Sequence, residues 1–133
     1  MLCPGSRSGS LATAAGLLAS SGPLQLITAV DERSAAFLAL GLATAGGTGV
    51  AVVTTSGTAV ANLLPAVVEA DRSSQPLLLI TADRPIRLKQ CGANQTVNQE
   101  DFLRPACRWS VSYTHLRAHE TRHDLVCRLL LEK

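Results

Sequence analysis

Four short polar clusters carry the residue types that could do chemistry in this 133-residue chain. Gly5-Ser6-Arg7-Ser8 joins a guanidinium to hydroxyls where a helix can open, a setting that suits a carboxylate or a phosphate. Asp31-Glu32-Arg33 places two carboxylates side by side. Thr54-Thr55-Ser56-Gly57-Thr58 groups hydroxyls around a glycine. Asp83-Arg84-Pro85 is followed by Cys91-Gly92-Ala93-Asn94-Gln95, a second arginine and a run of amides. Any one cluster alone is ordinary capping and turn chemistry. Four along one edge, with Arg7 and Arg84 among them, describe an anion-binding site. Gly46-Gly47-Thr48-Gly49 lies before an apolar run rather than after one and reads as a turn, not a phosphate loop.

A fifth cluster is set aside. His119-Glu120-Thr121-Arg122-His123 matches H-E-x-x-H, in which two imidazoles one helical turn apart bind zinc and the glutamate activates a water. His115 would be the third ligand, but it lies a turn upstream on the same face, a poor geometry for a tetrahedral site. Residues 111–121 also read as the in-frame translation of a transposase-type sequencing-library adapter. Residues 124–133 resemble its far end, with Arg122 and His123 from the variable index between. Residues 110–133 are therefore read as a non-native, adapter-derived tail, and a zinc hydrolase built on His119, Glu120 and His123 is the weakest alternative. The tail holds all three histidines of the chain. No metal site is expected in residues 1–109.

The remaining clusters need a scaffold that lines them up. Residues 24–30, 50–54 and 77–81 are short, nearly continuous runs of Val, Ile, Leu and Thr, as strands buried on both faces should be. Helices are predicted from Ser8 or Ser10 to Ser20, over 35–44 and over 58–70, with Gly22-Pro23 and Gly46-Gly47 as stops. Met1-Leu2-Cys3 reads as the end of a further strand whose start is missing, which should leave one sheet edge unprotected. Right-handed crossovers then give an α/β fold, a parallel sheet flanked by helices and truncated at both ends. In such a sheet ligands bind beyond the carboxyl ends of the strands, where the four clusters fall.

Composition narrows the function. Apolar residues make up 47% of the chain, enough for a core, while a net charge of +2 and 3% aromatics give no footprint for nucleic acid. No apolar run reaches the roughly 18 residues of a transmembrane helix. Arg7 with residues 11–19 imitates a signal peptide, but Gly and Ser surround the lone basic residue and no clean cleavage site follows. Cys3, Cys91, Cys107 and Cys127 are scattered and unpaired in sequence, which points to reduced thiols and a cytoplasmic protein.

A family resemblance enters here. Cys3-Pro-Gly-Ser-Arg-Ser8, Asp31-Glu-Arg-Ser-Ala-Ala-Phe-Leu-Ala-Leu-Gly-Leu-Ala43, Thr55-Ser-Gly-Thr-Ala-Val-Ala-Asn62, Thr81-Ala-Asp-Arg-Pro85 and Cys91-Gly-Ala-Asn-Gln95 stand in order. Together they closely resemble the N-terminal pyrimidine-binding domain of the 2-succinyl-5-enolpyruvyl-6-hydroxy-3-cyclohexene-1-carboxylate synthase family, thiamine-diphosphate enzymes of menaquinone and phylloquinone biosynthesis. The match spans nearly all of residues 3–109, and residues 1–109 are read as a partial domain of this kind. The resemblance implies thiamine diphosphate as cofactor, with Mg²⁺ or Mn²⁺ held by a separate C-terminal domain whose Gly-Asp-Gly motif does not occur in this chain. It also implies 2-oxoglutarate and isochorismate as substrates: the first is decarboxylated and its succinyl-semialdehyde unit is added to the second. The whole enzyme would be a homo-oligomer with sites completed by the partner subunit, and this chain alone is expected to be inactive.

By the same resemblance Glu32 is the catalytic and cofactor-binding carboxylate. In this superfamily it hydrogen-bonds the aminopyrimidine ring nitrogen and favours the imino tautomer that removes the C2 proton of the cofactor. A buried carboxyl of raised pKa suits such proton sharing. Read from the residues alone, Glu32 is a helix N-terminal carboxylate, worth about 0.3–1 kcal/mol against the dipole. Ser56 and Thr58 are implied as further cofactor contacts, and Ser6, Arg7, Arg84 and Gln95 as substrate contacts; two carboxylate-bearing substrates give both arginines a purpose. The main alternative is another carboligase of the superfamily, of the acetohydroxyacid-synthase kind.

Overall fold

A computed structural model describes residues 1–110. Two strands, β1 (Val50–Thr54) and β2 (Leu77–Thr81), pair in parallel from Val50 opposite Leu77 to Thr54 opposite Thr81. Both coincide with their predicted ranges. Their inner residues Val52 and Leu79 are fully buried, as expected of strands covered on both faces.

Two helices supply the cover. In α2 (Glu32–Gly46) the buried residues are Ala35, Ala36, Ala39, Leu40 and Ala43, a stripe at helical spacing. It packs on β1 and on α4 (Leu64–Ser73), which buries Ala66, Val67 and Ala70. With alanine on both surfaces the two helices can approach closely, and Leu63 and Leu103 complete the core. Gly47, at φ 63°, ends α2 in the left-handed conformation that glycine adopts without strain.

Three expectations are corrected. The helix predicted over 58–70 is two, α3 (Thr58–Ala61) and α4. Pro65 lies in the first turn of α4, and a single helix running through it would drive its ring into the Ala61 carbonyl. The second helix starts at Glu32 rather than residue 35, because the Asp31 carboxylate accepts a 2.7 Å hydrogen bond from the Ser34 N–H and caps it. Residues 24–30 form no continuous strand. They touch the sheet only at a parallel bridge of Thr28 to Leu2, with Leu2 N–H donating to Ile27 O at 2.8 Å and Ala29 N–H to Leu2 O at 3.0 Å.

The other side of the 1–3 segment pairs with β1, Cys3 N–H donating to Val53 O at 2.8 Å and Val53 N–H to Met1 O at 3.0 Å. The spatial order is thus 27–29, 1–3, β1, β2, all parallel. Residues 1–3 sit inside the sheet, so the expected exposed edge at this segment is not there. The first helix, α1 (Gly9–Ser20), buries none of its residues. No helix among the described residues is long and apolar enough to cross a membrane.

Candidate functional site

The loops that follow residues 1–3, β1 and β2 meet beyond the carboxyl ends of the strands. Gly5 lies so close to Thr55 that a Cβ there would come within 2.4 Å of the Thr55 Cβ, so only glycine lets these two loops touch. Ser6 is exposed, Arg7 half-buried and Ser8 buried in a single 3₁₀ turn that leads into α1.

Ser56 is fully buried, and its hydroxyl donates to the Gln95 carbonyl at 3.0 Å. Gly57, at φ 86°, lies so close to Gln95 that a Cβ there would come within 3.2 Å of the Gln95 Cα and carbonyl oxygen. Residue 95 itself takes a left-handed φ of 55° and leaves its side chain exposed. Thr58 is exposed at the start of α3. Of the expected cofactor contacts, then, Thr58 faces solvent while the Ser56 hydroxyl fastens the 91–95 loop to the end of β1.

The residue that ties the site together is Gln99, which is 2% exposed. Its Oε1 accepts from the Gly57 N–H and its Nε2 donates to the Ala82 carbonyl, both at 2.8 Å. One amide thereby bridges the loops after β1 and after β2, whose backbones also meet directly where Ala82 N–H donates to Thr54 O. Sequence reasoning missed this residue. A lone glutamine in an irregular stretch has no periodicity or spacing to mark it. Lys89 was missed as well: its ammonium pairs with buried Asp83 at 3.0 Å and with Glu100. Asp83 also accepts from the Arg84 N–H at 2.7 Å. Arg84 is half-buried, and its Nε has no partner among the described residues. The same holds for the buried hydroxyls of Thr55 and Thr81.

Glu32 occupies the first turn of α2, just past residues 27–29, and is half-buried. Its position relative to Cys3 is electrostatically legible. The Cys3 thiol is pushed up to about 11, first by burial, then by the Glu32 carboxylate and more weakly by Asp31, against the opposing Met1 ammonium. The exposed Asp31 carboxyl is held below the usual range by its hydrogen bonds from Ser34. The first strand end and the carboxylate cluster are therefore neighbours. Glu32 is thus a half-buried carboxylate at the carboxyl edge of the parallel sheet, next to the end of residues 1–3. His115, His119, Glu120 and His123 lie outside the described residues.

A parallel α/β unit whose polar loops gather beyond its strand ends is the ligand-binding type of α/β domain. The chain belongs to the thiamine pyrophosphate enzyme family, N-terminal TPP binding domain, whose model matches residues 2–102. Over 109 residues it is 91% identical to the 2-succinyl-5-enolpyruvyl-6-hydroxy-3-cyclohexene-1-carboxylate synthase of Synechococcus sp. strain CC9902, a match covering 82% of this chain and 19% of that protein. Synthases of the same name from Parasynechococcus marenigrum strain WH8102 and Prochlorococcus marinus strain MIT 9313 are 82% and 78% identical over the same length. The chain spans about one fifth of the length of these curated relatives.

Proposed function

We propose that this chain is the pyrimidine-binding portion of a synthase that decarboxylates 2-oxoglutarate and joins the resulting four-carbon unit to isochorismate. The observation that carries the reading is the 91% identity over 109 residues to a synthase of that name, in a chain whose residues 2–102, with all four strand-end clusters, match the family model. Relatives from several organisms share the name, which does not favour an acetohydroxyacid-type carboligase. When bound, thiamine diphosphate supplies a carbon nucleophile able to stabilise the charge left by loss of CO₂. The chain's own residues have simpler tasks. Glu32 shares a proton with the ring nitrogen of the aminopyrimidine, and enclosure of its open side by a second domain makes that exchange effective. Arg7 and Arg84 orient the carboxylates of the two substrates, with Ser6 and Gln95 as uncharged donors beside them. Thr58 is left to contact the cofactor directly, while Ser56 holds the loop that carries Gln95. Magnesium would be held by a separate domain, and the assembled enzyme would be a cytoplasmic homo-oligomer.

The test is a chimera in which residues 1–109 replace the matching segment of the Synechococcus strain CC9902 synthase. The chimera should consume 2-oxoglutarate only when isochorismate is present to accept the unit. Glu32→Gln in it should lower kcat at least about a hundredfold, the scale of general acid–base catalysis, with unchanged thermal unfolding. Turnover near that of the parent would remove Glu32 from the mechanism, and pyruvate preferred over 2-oxoglutarate would overturn the substrate assignment.

A further inference from the structure

Beyond the end of β2 two cations and two carboxylates come together, and they pair in an order that their chemistry alone does not favour. Asp83 leaves 1% of its side chain exposed, and a carboxylate so buried needs a compensating cation. Arg84 is its neighbour in the chain. A guanidinium is more weakly hydrated than an ammonium and grips a carboxylate through two parallel hydrogen bonds. The partner is nevertheless Lys89, whose ammonium lies 3.0 Å from Asp83 Oδ2. Arg84 reaches Asp83 through its backbone N–H, which donates to Oδ1 at 2.7 Å. Its guanidinium makes no salt bridge among the described residues, and its buried Nε has no hydrogen-bond partner there.

The chain is folded to deliver the ammonium. Pro85 leads into a 3₁₀ turn (Ile86–Leu88) in which Leu88 N–H donates to Pro85 O at 2.8 Å and Lys89 N–H to Ile86 O at 3.0 Å. This reversal brings the Lys89 side chain back to Asp83. A second 3₁₀ turn (Gln99–Asp101) brings Glu100, whose Oε1 pairs with the same ammonium. Gln99 fastens that turn to Gly57 and Ala82, so the Glu100 carboxylate is anchored through its neighbour. Glu100 Oε2 is buried without a hydrogen-bond partner among the described residues. A carboxylate oxygen and a guanidinium N–H are thus both left unmatched in one loop cluster, where unpaired groups are costly. Lys89 bridges the two carboxylates: with it, Asp83, Lys89 and Glu100 carry one net negative charge, and without it two.

We propose that Lys89 is a positioning residue for Arg84: by occupying Asp83 and Glu100 it denies them to the guanidinium, which stays open to a substrate carboxylate. The inference rests on the reading of Arg84 as a substrate contact and adds the residue that keeps it one. Lys89 itself has no need to touch substrate. An uncharged residue at 89 would leave the two carboxylates to the nearest cation, and Arg84 would close on them.

The first readout needs no substrate. In the 133-residue chain carrying Lys89→Met, a carboxylate accepting from the Arg84 Nε–H should shift that proton's resonance downfield. Lys89→Met combined with Asp83→Asn serves if an uncompensated Asp83 unfolds the single variant: it keeps an acceptor for the Arg84 N–H and leaves Glu100 to capture the guanidinium. The downfield shift should persist in that pair and disappear when Glu100→Gln is added.

The second readout uses the chimera carrying residues 1–109. Arg84→Ala marks the substrate whose KM depends on the guanidinium. Lys89→Met should raise that same KM about tenfold, the scale of a lost charge-assisted hydrogen bond, and leave kcat within about twofold. In the Arg84→Ala background it should raise it no further, whereas a loss through weakened folding would add. An unmoved Arg84 Nε–H resonance in both Lys89→Met variants, or a KM effect of the same size with Arg84 replaced, overturns the proposal. A chimera inactive toward 2-oxoglutarate would overturn the synthase reading instead, and the resonance would still decide whether Lys89 holds Arg84 open.

Discussion

The two flanks of residues 1–3 are built from the same apolar residues and packed very differently. On one side α2, α4, β1 and β2 close a core in which Val52, Leu63, Leu79 and Ala39 are fully buried. On the other, α1 buries nothing, Leu17 and Leu18 are 66% and 52% exposed, and residues 24–30 reach the sheet through one bridge. Hydropathy does not explain this, for α1 has no charged residue at all, whereas α4 carries Glu69, Asp71 and Arg72. What differs is the availability of a surface. The stripe of α4 meets a complementary stripe on α2, while α1 borders, through Ala15, an open cavity beside residues 24–27 and 48–51. An apolar helix gains from burial only when something lies opposite.

The largest expected effect tests that contrast directly. Leu79→Ala should destabilise the chain by about 3–4 kcal/mol, through lost transfer energy and the cavity left behind. Leu17→Ala should change stability by less than about 0.5 kcal/mol, as surface substitutions do. Urea unfolding of both variants measures the gap, and comparable losses would mean that α1 is packed as tightly as the core. Next in size is Gln99→Ala. It removes both partners of one amide and leaves the Gly57 N–H and the Ala82 carbonyl buried and unpaired, at about 2 kcal/mol by the usual cost of such groups. Faster exchange at the Gly57 amide would show that the strand-end loops had come apart. Unchanged exchange there would show that the Thr54–Ala82 backbone bond holds them unaided.

How far the sequence disclosed all this depends on whether the signal is local. β1 and β2 were legible to the residue, since a run of β-branched and aliphatic residues between turn formers carries its own reading. The start of α2 lies three residues ahead of the apolar stripe that marks the helix in sequence, because its first turn is polar and held by the Asp31–Ser34 cap. Residues 24–30 have the composition of a strand and not its partners, and pairing is a property of the fold. Within the site, Glu32, Arg7 and Arg84 stood out because charge next to a strand end is visible in one dimension. Gln99 and Lys89 did not, since their partners lie 42 and 17 residues away for Gln99 and 6 and 11 for Lys89 in irregular chain. The inward turn of Ser56 toward Gln95 was hidden for the same reason.

A smaller effect separates the buried from the exposed thiols. Cys3 holds its proton more tightly in the folded chain, to about 11, than the ordinary thiol value of 9.0 in the unfolded one. The unfolded chain therefore loses a proton first as the pH rises. By linkage this contribution to stability is complete below about pH 9 and declines between 9 and about 11. Replacing Cys3 by Ser should abolish that part of the alkaline decline in a melting-temperature profile. At pH 8 the exposed Cys91 should react with iodoacetamide well before Cys3, whose thiolate is scarce and enclosed. Equal rates would place Cys3 at the surface, and with it the first strand end beside Glu32.

The smallest expected effect is also the most local. Asp31 is exposed, and its lowered pKa comes from the Ser34 hydrogen bonds that cap α2. A carboxyl whose pKa is depressed in the folded state stabilises it above the unfolded pKa, and that help fades as the pH falls through the folded value. Asp31→Asn should keep the cap and remove the acid dependence, since an asparagine oxygen accepts the same bond without titrating. Asp31→Ala should lose both, fraying the turn that carries Glu32 more than it weakens the core. Exchange at the Ser34 amide, compared with that at Leu40 further along α2, reads the difference. Fraying at both amides would tie the cap to the whole helix, whereas fraying at Ser34 alone would confine its effect to the turn that aims the carboxylate.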